Sequence, residues 1–291
     1  MRKTLFAISF AVAAGMPAFT SAQTAAPAAA PSDHTFAGNA GLFSEYRFRG
    51  IAQTFAKPAL QGGIDYSHSS GLYLGNWNSN VSSGAGFPAG NLEMDFYGGY
   101  KKSWGDLGLD VGYIYYYYPG SDANRAAGTA ITNPRAGGAT HTGTVDNKEV
   151  YIGGSWKWLS AKYYYSVGDY FSQPGTKGSN YLDVSANYDM GGGWGLVGHV
   201  GSFRLKGWSV GTDASNANYT DWKIGVTKDV SGWVLGAAYI DTSAKGSCNP
   251  ANQGFYCFGS SIPGGTLAAP AGTKFKDASK GVVVLSVSKS F

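Results

Sequence analysis

Charged side chains recur at every second position in several parts of this chain: Glu45, Arg47 and Arg49, then Glu93 and Asp95, then Asp183 beside Ser185. In an extended strand such residues share one face, so the spacing lines charges up along a wall without building a catalytic centre. The four histidines, His34, His68, His141 and His199, show no His-x3-His or Cys/His spacing of a metal site. A lipase-like Ser-His-acid site would need a nucleophile elbow, and no G-x-S-x-G occurs. Gly193-Trp194-Gly195-Leu196-Val197-Gly198 fits G-x-G-x-x-G. A dinucleotide site needs a helix after those glycines, whereas a period-two segment follows, so the motif reads as a turn plus an inward glycine. No catalytic residue, metal or cofactor is expected, and the chain is not expected to be an enzyme. Cys248 and Cys257, the only cysteines, fall in the longest interval between alternating segments. An exported chain meets an oxidising compartment, so a disulfide between them is expected, with two free thiols as the alternative.

The elements that position these residues are strands. Twelve segments alternate with period two and almost no helical i, i+3, i+4 pattern appears. The clearest is 91–101, with Leu92, Met94, Phe96, Gly98 and Tyr100 on one face and Glu93, Asp95, Tyr97, Gly99 and Lys101 on the other. The others are 36–52, 59–68, 72–80, 107–118, 148–158, 161–170, 179–189, 194–203, 219–228, 233–241 and 281–291. Most are close to the ~9–11 residues with which a tilted strand crosses a bilayer. Short turns follow the even segments, and long links follow the odd ones except 53–58. That asymmetry predicts an all-β fold: a transmembrane antiparallel up-and-down β-barrel of 12 strands with both termini in the periplasm. Trp104, Trp158, Trp194 and Trp233 lie beside the short turns, where an amphipathic indole suits the membrane interface.

The first residues set the compartment. Arg2 and Lys3 precede an apolar stretch over 5–15, and Thr20-Ser21-Ala22 supplies small residues before Gln23. This reads as a cleaved signal over 1–22, too short for a membrane helix. A flexible mature N-terminus over 23–35 and a barrel over 36–291 follow. Removing Arg2 and Lys3 lowers the formal net charge from +4 to +2, so the pI of 8.8 says little about partners. No basic cluster with interleaved aromatics suggests nucleic acid. Aromatics make up 15% of the chain and charged residues only 14%, which suits a lipid-facing exterior. The expected location is the bacterial outer membrane, after export through the inner membrane. Phe291, ending the last alternating segment, is expected to be the signal read by the barrel assembly machinery.

Specific motifs add a resemblance. Ser44-Glu45-Tyr46-Arg47-Phe48-Arg49-Gly50-Ile51-Ala52-Gln53, then Lys57-Pro58-Ala59-Leu60-Gln61-Gly62-Gly63, then Asn91-Leu92-Glu93-Met94-Asp95-Phe96-Tyr97-Gly98-Gly99-Tyr100, and finally Ser288-Lys289-Ser290-Phe291 resemble the TorF family of proteobacterial porin-type proteins. Members more often carry Asp at the place of Glu45 and Ser at that of Ala52. The resemblance spans essentially the mature chain, apart from 119–147 and 242–280. It implies an outer-membrane barrel and a pore, and names no solute.

Strand parity gives the inward, pore-lining charges: Glu45, Arg47, Arg49, Asp65, Glu93, Asp95, Lys101, Asp110, Glu149, Lys157, Lys162, Asp183, Asp221 and Lys223. Twelve strands at ~4.8 Å spacing and ~40° tilt give a backbone radius of roughly 12 Å, half of it filled by side chains. The expected function is a porin-like channel for passive diffusion of small hydrophilic solutes or ions. The alternatives are a structural or adhesive barrel plugged by its own loops and a phospholipase-type barrel. Arg47 and Arg49 are expected to face Glu93, Asp95 and Asp110 across the bore and to set up a transverse field. Local pairing that merely fills the interior is the other reading.

Overall fold

Alternation with an outward apolar face predicts that the largest aliphatic side chains lie outside and the charges inside. The computed structural model bears this out. It describes residues 32–82, 90–121, 131–132, 140–141, 143–207, 217–249, 254–259 and 274–291; the signal over 1–22 and the tail up to residue 31 lie outside them. Leu60, Ile64, Leu74, Val200, Ile224 and Leu285 are exposed, while Glu93, Asp95 and Glu149 are completely buried. A water-soluble protein shows the reverse, and a membrane barrel shows this arrangement.

Twelve strands form one closed antiparallel barrel. They are β1 (His34–Phe43), β2 (Ala59–His68), β3 (Leu72–Asn80), β4 (Leu92–Trp104), β5 (Leu107–Tyr117), β6 (Asp146–Trp156), β7 (Leu159–Ser166), β8 (Asn180–Gly191), β9 (Trp194–Arg204), β10 (Tyr219–Val230), β11 (Trp233–Thr242) and β12 (Val282–Ser290). Each strand pairs with its neighbours in sequence, and β1 pairs with β12 to close the wall. Closure satisfies every strand's backbone groups, which a hydrocarbon surround demands. Beyond β12, Phe291 exchanges both backbone hydrogen bonds with Gly38 at 2.8 and 2.9 Å and lays its ring over that glycine.

The turns after even strands are tight, and Trp104, Trp158, Trp194 and Trp233 sit exposed beside them. Most boundaries shift by a few residues, the segment read as 161–170 ending at Ser166, and two of the shifts change where a charge lies. The segment read as 148–158 leaves the wall at Trp156, and Lys157 occupies the next turn with φ of 54°. The segment read as 36–52 leaves it at Phe43. The link that seemed short is therefore residues 44–58, and it turns into the barrel.

Candidate functional site in the lumen

The departure at Phe43 builds the site. Residues Arg47–Phe48 and Ile51–Ala52 pair with each other in a small ladder separate from the wall. Arg49 and Gly50 join them with φ of 48° and 80°, the double left-handed turn whose twist suits a two-residue hairpin. Gly50 is needed at the tip, because a Cβ there would collide with Thr242 of β11 and Asp221 of β10. Every residue from Glu45 to Thr54 is buried. The hairpin thus lies inside the lumen, its tip against β10 and β11 and its side chains reaching β4, β5 and β6.

Its side chains hold it there. Tyr46 donates its hydroxyl to Glu93 at 3.0 Å and packs edge-on against Trp77. Phe48 meets Tyr116 and Phe171 edge to face. Arg47 pairs with Glu45 at 3.1 Å and donates to the carbonyls of Gly50 and Ala278. Arg49 makes a two-pronged contact with Glu149 on β6, at 2.7 and 3.1 Å, the fork geometry that guanidinium and carboxylate share. Its guanidinium also lies over the rings of Tyr181 and Phe48. Of the expected pore-lining residues, Glu45, Arg47 and Arg49 are therefore in the lumen but belong to the hairpin and not to the wall.

The remaining members divide into two groups around the hairpin. On one side, Lys162 pairs with Asp110 at 2.6 Å and Tyr73 donates to the same carboxylate. Tyr73 and Tyr151 share a hydrogen bond, Lys101 lies over the Tyr73 ring, and Tyr97 donates to Asp65. On the other side stands His199, to which the sequence assigned no role. Its Nδ1 faces Asp183 at 3.2 Å and Ser185 at 3.1 Å, and its Nε2 faces Asp221 and Tyr181 at 2.9 Å. Ser, His and Asp are together here, yet the Ser185 hydroxyl donates to Asp183 at 2.6 Å. Each imidazole nitrogen is turned to a carboxylate, and the hydroxyl hydrogen of Ser185 is given to Asp183 and not to the ring. Ser185 pairs with His199 across β8 and β9, and His199 with Lys223 across β9 and β10. A register shift at Asp189 to Gly191 decides that alignment, and no local spacing announces it.

Between the hairpin and the His199 group a cavity of about 540 Å³, counted to its open mouth, is lined by Arg47, Arg49, Asp183, His199, Asp221 and Lys223. Arg47, Arg49, Asp183 and Asp221 each stand in contact with a partner, where the transverse field expected opposed charges across open space. Lys157 is corrected: it sits exposed in its turn with Nζ over the Trp156 ring, outside the lumen. Glu93 and Asp95 do face inward, but the Oε2 of Glu93 and both carboxylate oxygens of Asp95 have no hydrogen-bond partner. Among the described residues no group of three or more His, Cys, Asp or Glu is arranged to hold a metal ion. Cys248 and Cys257 are joined in a disulfide. It lies beside Tyr256, which donates to the Ala217 carbonyl at 2.6 Å and packs on Tyr219 of the wall.

A family model described as "Bacterial protein of unknown function (Gcw_chp)" matches residues 27–263. No curated protein matches. Among solved structures the chain is similar to the NanC porin, at 10% identity over 88% of this chain and 99% of that one, with a TM-score of 0.45. It is also similar to the outer-membrane expressed OmpT of Vibrio cholerae, at 10% identity over 89% and 97% with a TM-score of 0.41. A third is OprD of Pseudomonas aeruginosa, at 10% identity over 87% and 65% with a TM-score of 0.37.

Proposed function

The chain belongs to the Gcw_chp family of bacterial proteins, and from its barrel we propose an outer-membrane channel for small hydrophilic solutes or ions, narrowed by its own first loop. The TorF resemblance fits the same reading. One observation carries it: the hairpin over 44–58 belongs to no wall ladder, so the barrel would remain closed upon itself if the hairpin moved. The hairpin is a plug seated in a polar lumen, beside a cavity lined by both signs of charge. Such a lining favours dipolar solutes over apolar ones, since charges in a narrow bore are screened less than at an open surface. Export through the inner membrane, placement in the outer membrane and use of Phe291 by the assembly machinery belong to the same proposal. The partners are then outer-membrane lipid and the solutes, and neither nucleic acid nor a chemical reaction has a part.

The second reading, a structural or adhesive barrel plugged by its loops, is favoured by the complete burial of residues 45–54. Planar-bilayer recording separates the two. The mature chain should give small conductance steps, and a variant with 45–57 replaced by a short Gly/Ser linker should give steps several-fold larger. A replacement variant that is folded, as shown by heat-modifiable migration, yet silent would leave the structural reading in place.

A further inference from the structure

The lipid-facing wall breaks its own pattern on β3. Leu72 and Leu74 face outward and are well exposed, and the next two positions of the same parity are Asn76 and Asn78. They lie five and seven residues beyond the turn at Gly71. At ~3.3 Å per residue and ~40° tilt this puts them about 13 and 18 Å up an apolar band ~25 Å tall. Among the described residues these are the two amides at mid-wall on the outer face. Outward lysines behave differently: Lys228 reaches the Gly192 carbonyl and the Trp194 ring, and Lys289 the Trp233 ring, all at the periplasmic rim.

The two amides are only partly satisfied by their own barrel. Asn78 donates to the Asn76 Oδ1 at 2.6 Å and, weakly, to the Gly62 carbonyl at 3.4 Å. Asn76 donates one hydrogen to the Asp95 carbonyl at 3.0 Å. That leaves one N–H of Asn76 and the Oδ1 of Asn78, one donor and one acceptor, on the outward-parity row of β3. Lipid tails can satisfy neither, and polar groups at this depth are costly unless protein or water meets them.

The surface around them is shaped for a close neighbour. Ala40, Gly62 and Asn78 form one row across β1, β2 and β3, and Gly98 faces outward beside Leu74 on β4. Leu42, Leu60, Ile64, Leu74 and Phe96 stand out around this shallow floor. Small residues with a polar amide among larger apolar ones are how membrane segments approach closely and hydrogen-bond. A second copy turned about a twofold axis normal to the membrane cannot reverse the order of heights, so its Asn76 and Asn78 lie level with those of the first. The spare donor and acceptor, on neighbouring rows, can then meet across the axis twice, as an isologous contact requires.

We propose that the β1–β4 face is the interface of a homodimer in the membrane, closed by hydrogen bonds between Asn76 of one protomer and Asn78 of its partner. The proposal does not depend on conduction.

Two measurements on the full mature chain, extracted in mild detergent without boiling, test it. Native mass spectrometry should show dimers, and Asn76→Leu with Asn78→Leu should lower the dimer fraction at least tenfold, with the heat-modifiable shift of the folded barrel retained. In membranes, Asn78→Cys should cross-link with a short bis-maleimide at least five-fold more than Val200→Cys, which sits outward on β9, six strands away. The cross-linking comparison stands even if the double variant fails to assemble. Monomers throughout, trimers, a dimer indifferent to both leucines, or equal cross-linking at the two cysteines would each overturn the proposal.

Discussion

Two stretches of this chain alternate charge with aromatic or apolar residues in the same way, and only one remains in the wall. On β4, Glu93 and Asp95 face inward and Leu92 and Phe96 face lipid. Over 45–49 the charges are Glu45, Arg47 and Arg49, and the residues between them, Tyr46 and Phe48, are as buried as the charges. A strand with two protein-covered faces lies inside the barrel. The difference shows in how the charges are met. Arg47 and Arg49 each have an acidic partner, whereas neither carboxylate oxygen of Asp95 has a hydrogen-bond partner and Glu93 is held on one oxygen. Glu93 and Asp95 are thus wall carboxyls left half-met, while Asp110 and Glu149 elsewhere on the wall each hold a cation.

The largest test of that contrast is Arg49→Ala. It strands Glu149, which is 0% exposed, without its cation. Removing one partner of a buried pair typically costs ~3–5 kcal/mol. That cost should appear as release of the hairpin: cleavage within 44–58 by protease added to intact cells and larger conductance steps, with the barrel still resistant to mild SDS. A hairpin that stays protected with unchanged conductance would mean that Arg49 does not hold the plug.

Gly50→Ala should act in the same direction and less strongly. A left-handed conformation costs a residue with a Cβ ~1–2 kcal/mol, and here the methyl also meets Thr242 and Asp221, which must shift. The same readouts should show partial release. A variant as tightly closed as wild type would remove the tip from the contacts that seat the hairpin.

The reason that this hairpin escapes a reading of the sequence is physical. Alternation reports an extended chain and not what lies on either side of it, so 36–52 reads as one strand. The only turn signal is Gly50, because Arg49 takes the position where Asn, Asp or Gly is usual. Where turn chemistry is explicit the outcome is different. Ser69-Ser70-Gly71 separates 59–68 from 72–80, and those limits coincide with β2 and β3. Parity alone puts Asp183, Asp221 and Lys223 inside. Bringing the first two against His199 depends on registers between β8, β9 and β10, one of them shifted by the irregularity at Asp189. Asn76 and Asn78 are visible as breaks in the apolar face of 72–80 once the barrel is granted, but their spare donor and acceptor appear only with the neighbouring strands in place.

On the wall side of the contrast, Asp95→Asn should leave stability unchanged or raise it slightly. The amide keeps the shape of the side chain and removes the cost of ionising a buried group with no donor to meet it. The temperature at which the folded gel band is lost measures this. A marked fall would show that the carboxylate has a partner worth keeping.

The smallest effect is expected at Lys157, and it sharpens where the lumen ends. Parity assigns Lys157 and Lys162 to the same inward set, but the wall turns between them. Lys157 lies exposed over the Trp156 ring at the turn, and Lys162 reaches Asp110 inside at 2.6 Å. A charge outside the bore and among mobile ions acts on a permeating ion through a Debye length of ~8–10 Å, whereas one inside the bore acts at contact. Lys157→Glu should therefore leave the reversal potential in a salt gradient at its wild-type value. Lys162→Glu, which sets two carboxylates side by side, should move that potential toward cation preference. The Coulomb term for such a pair, ~1 kcal/mol at 4 Å in water and ~4 at an effective dielectric of 20, is large enough to read as a clear change of selectivity. If Lys157→Glu shifts the potential as much as Lys162→Glu, ions pass close to the 157–158 turn and the periplasmic mouth is narrower than the wall geometry indicates.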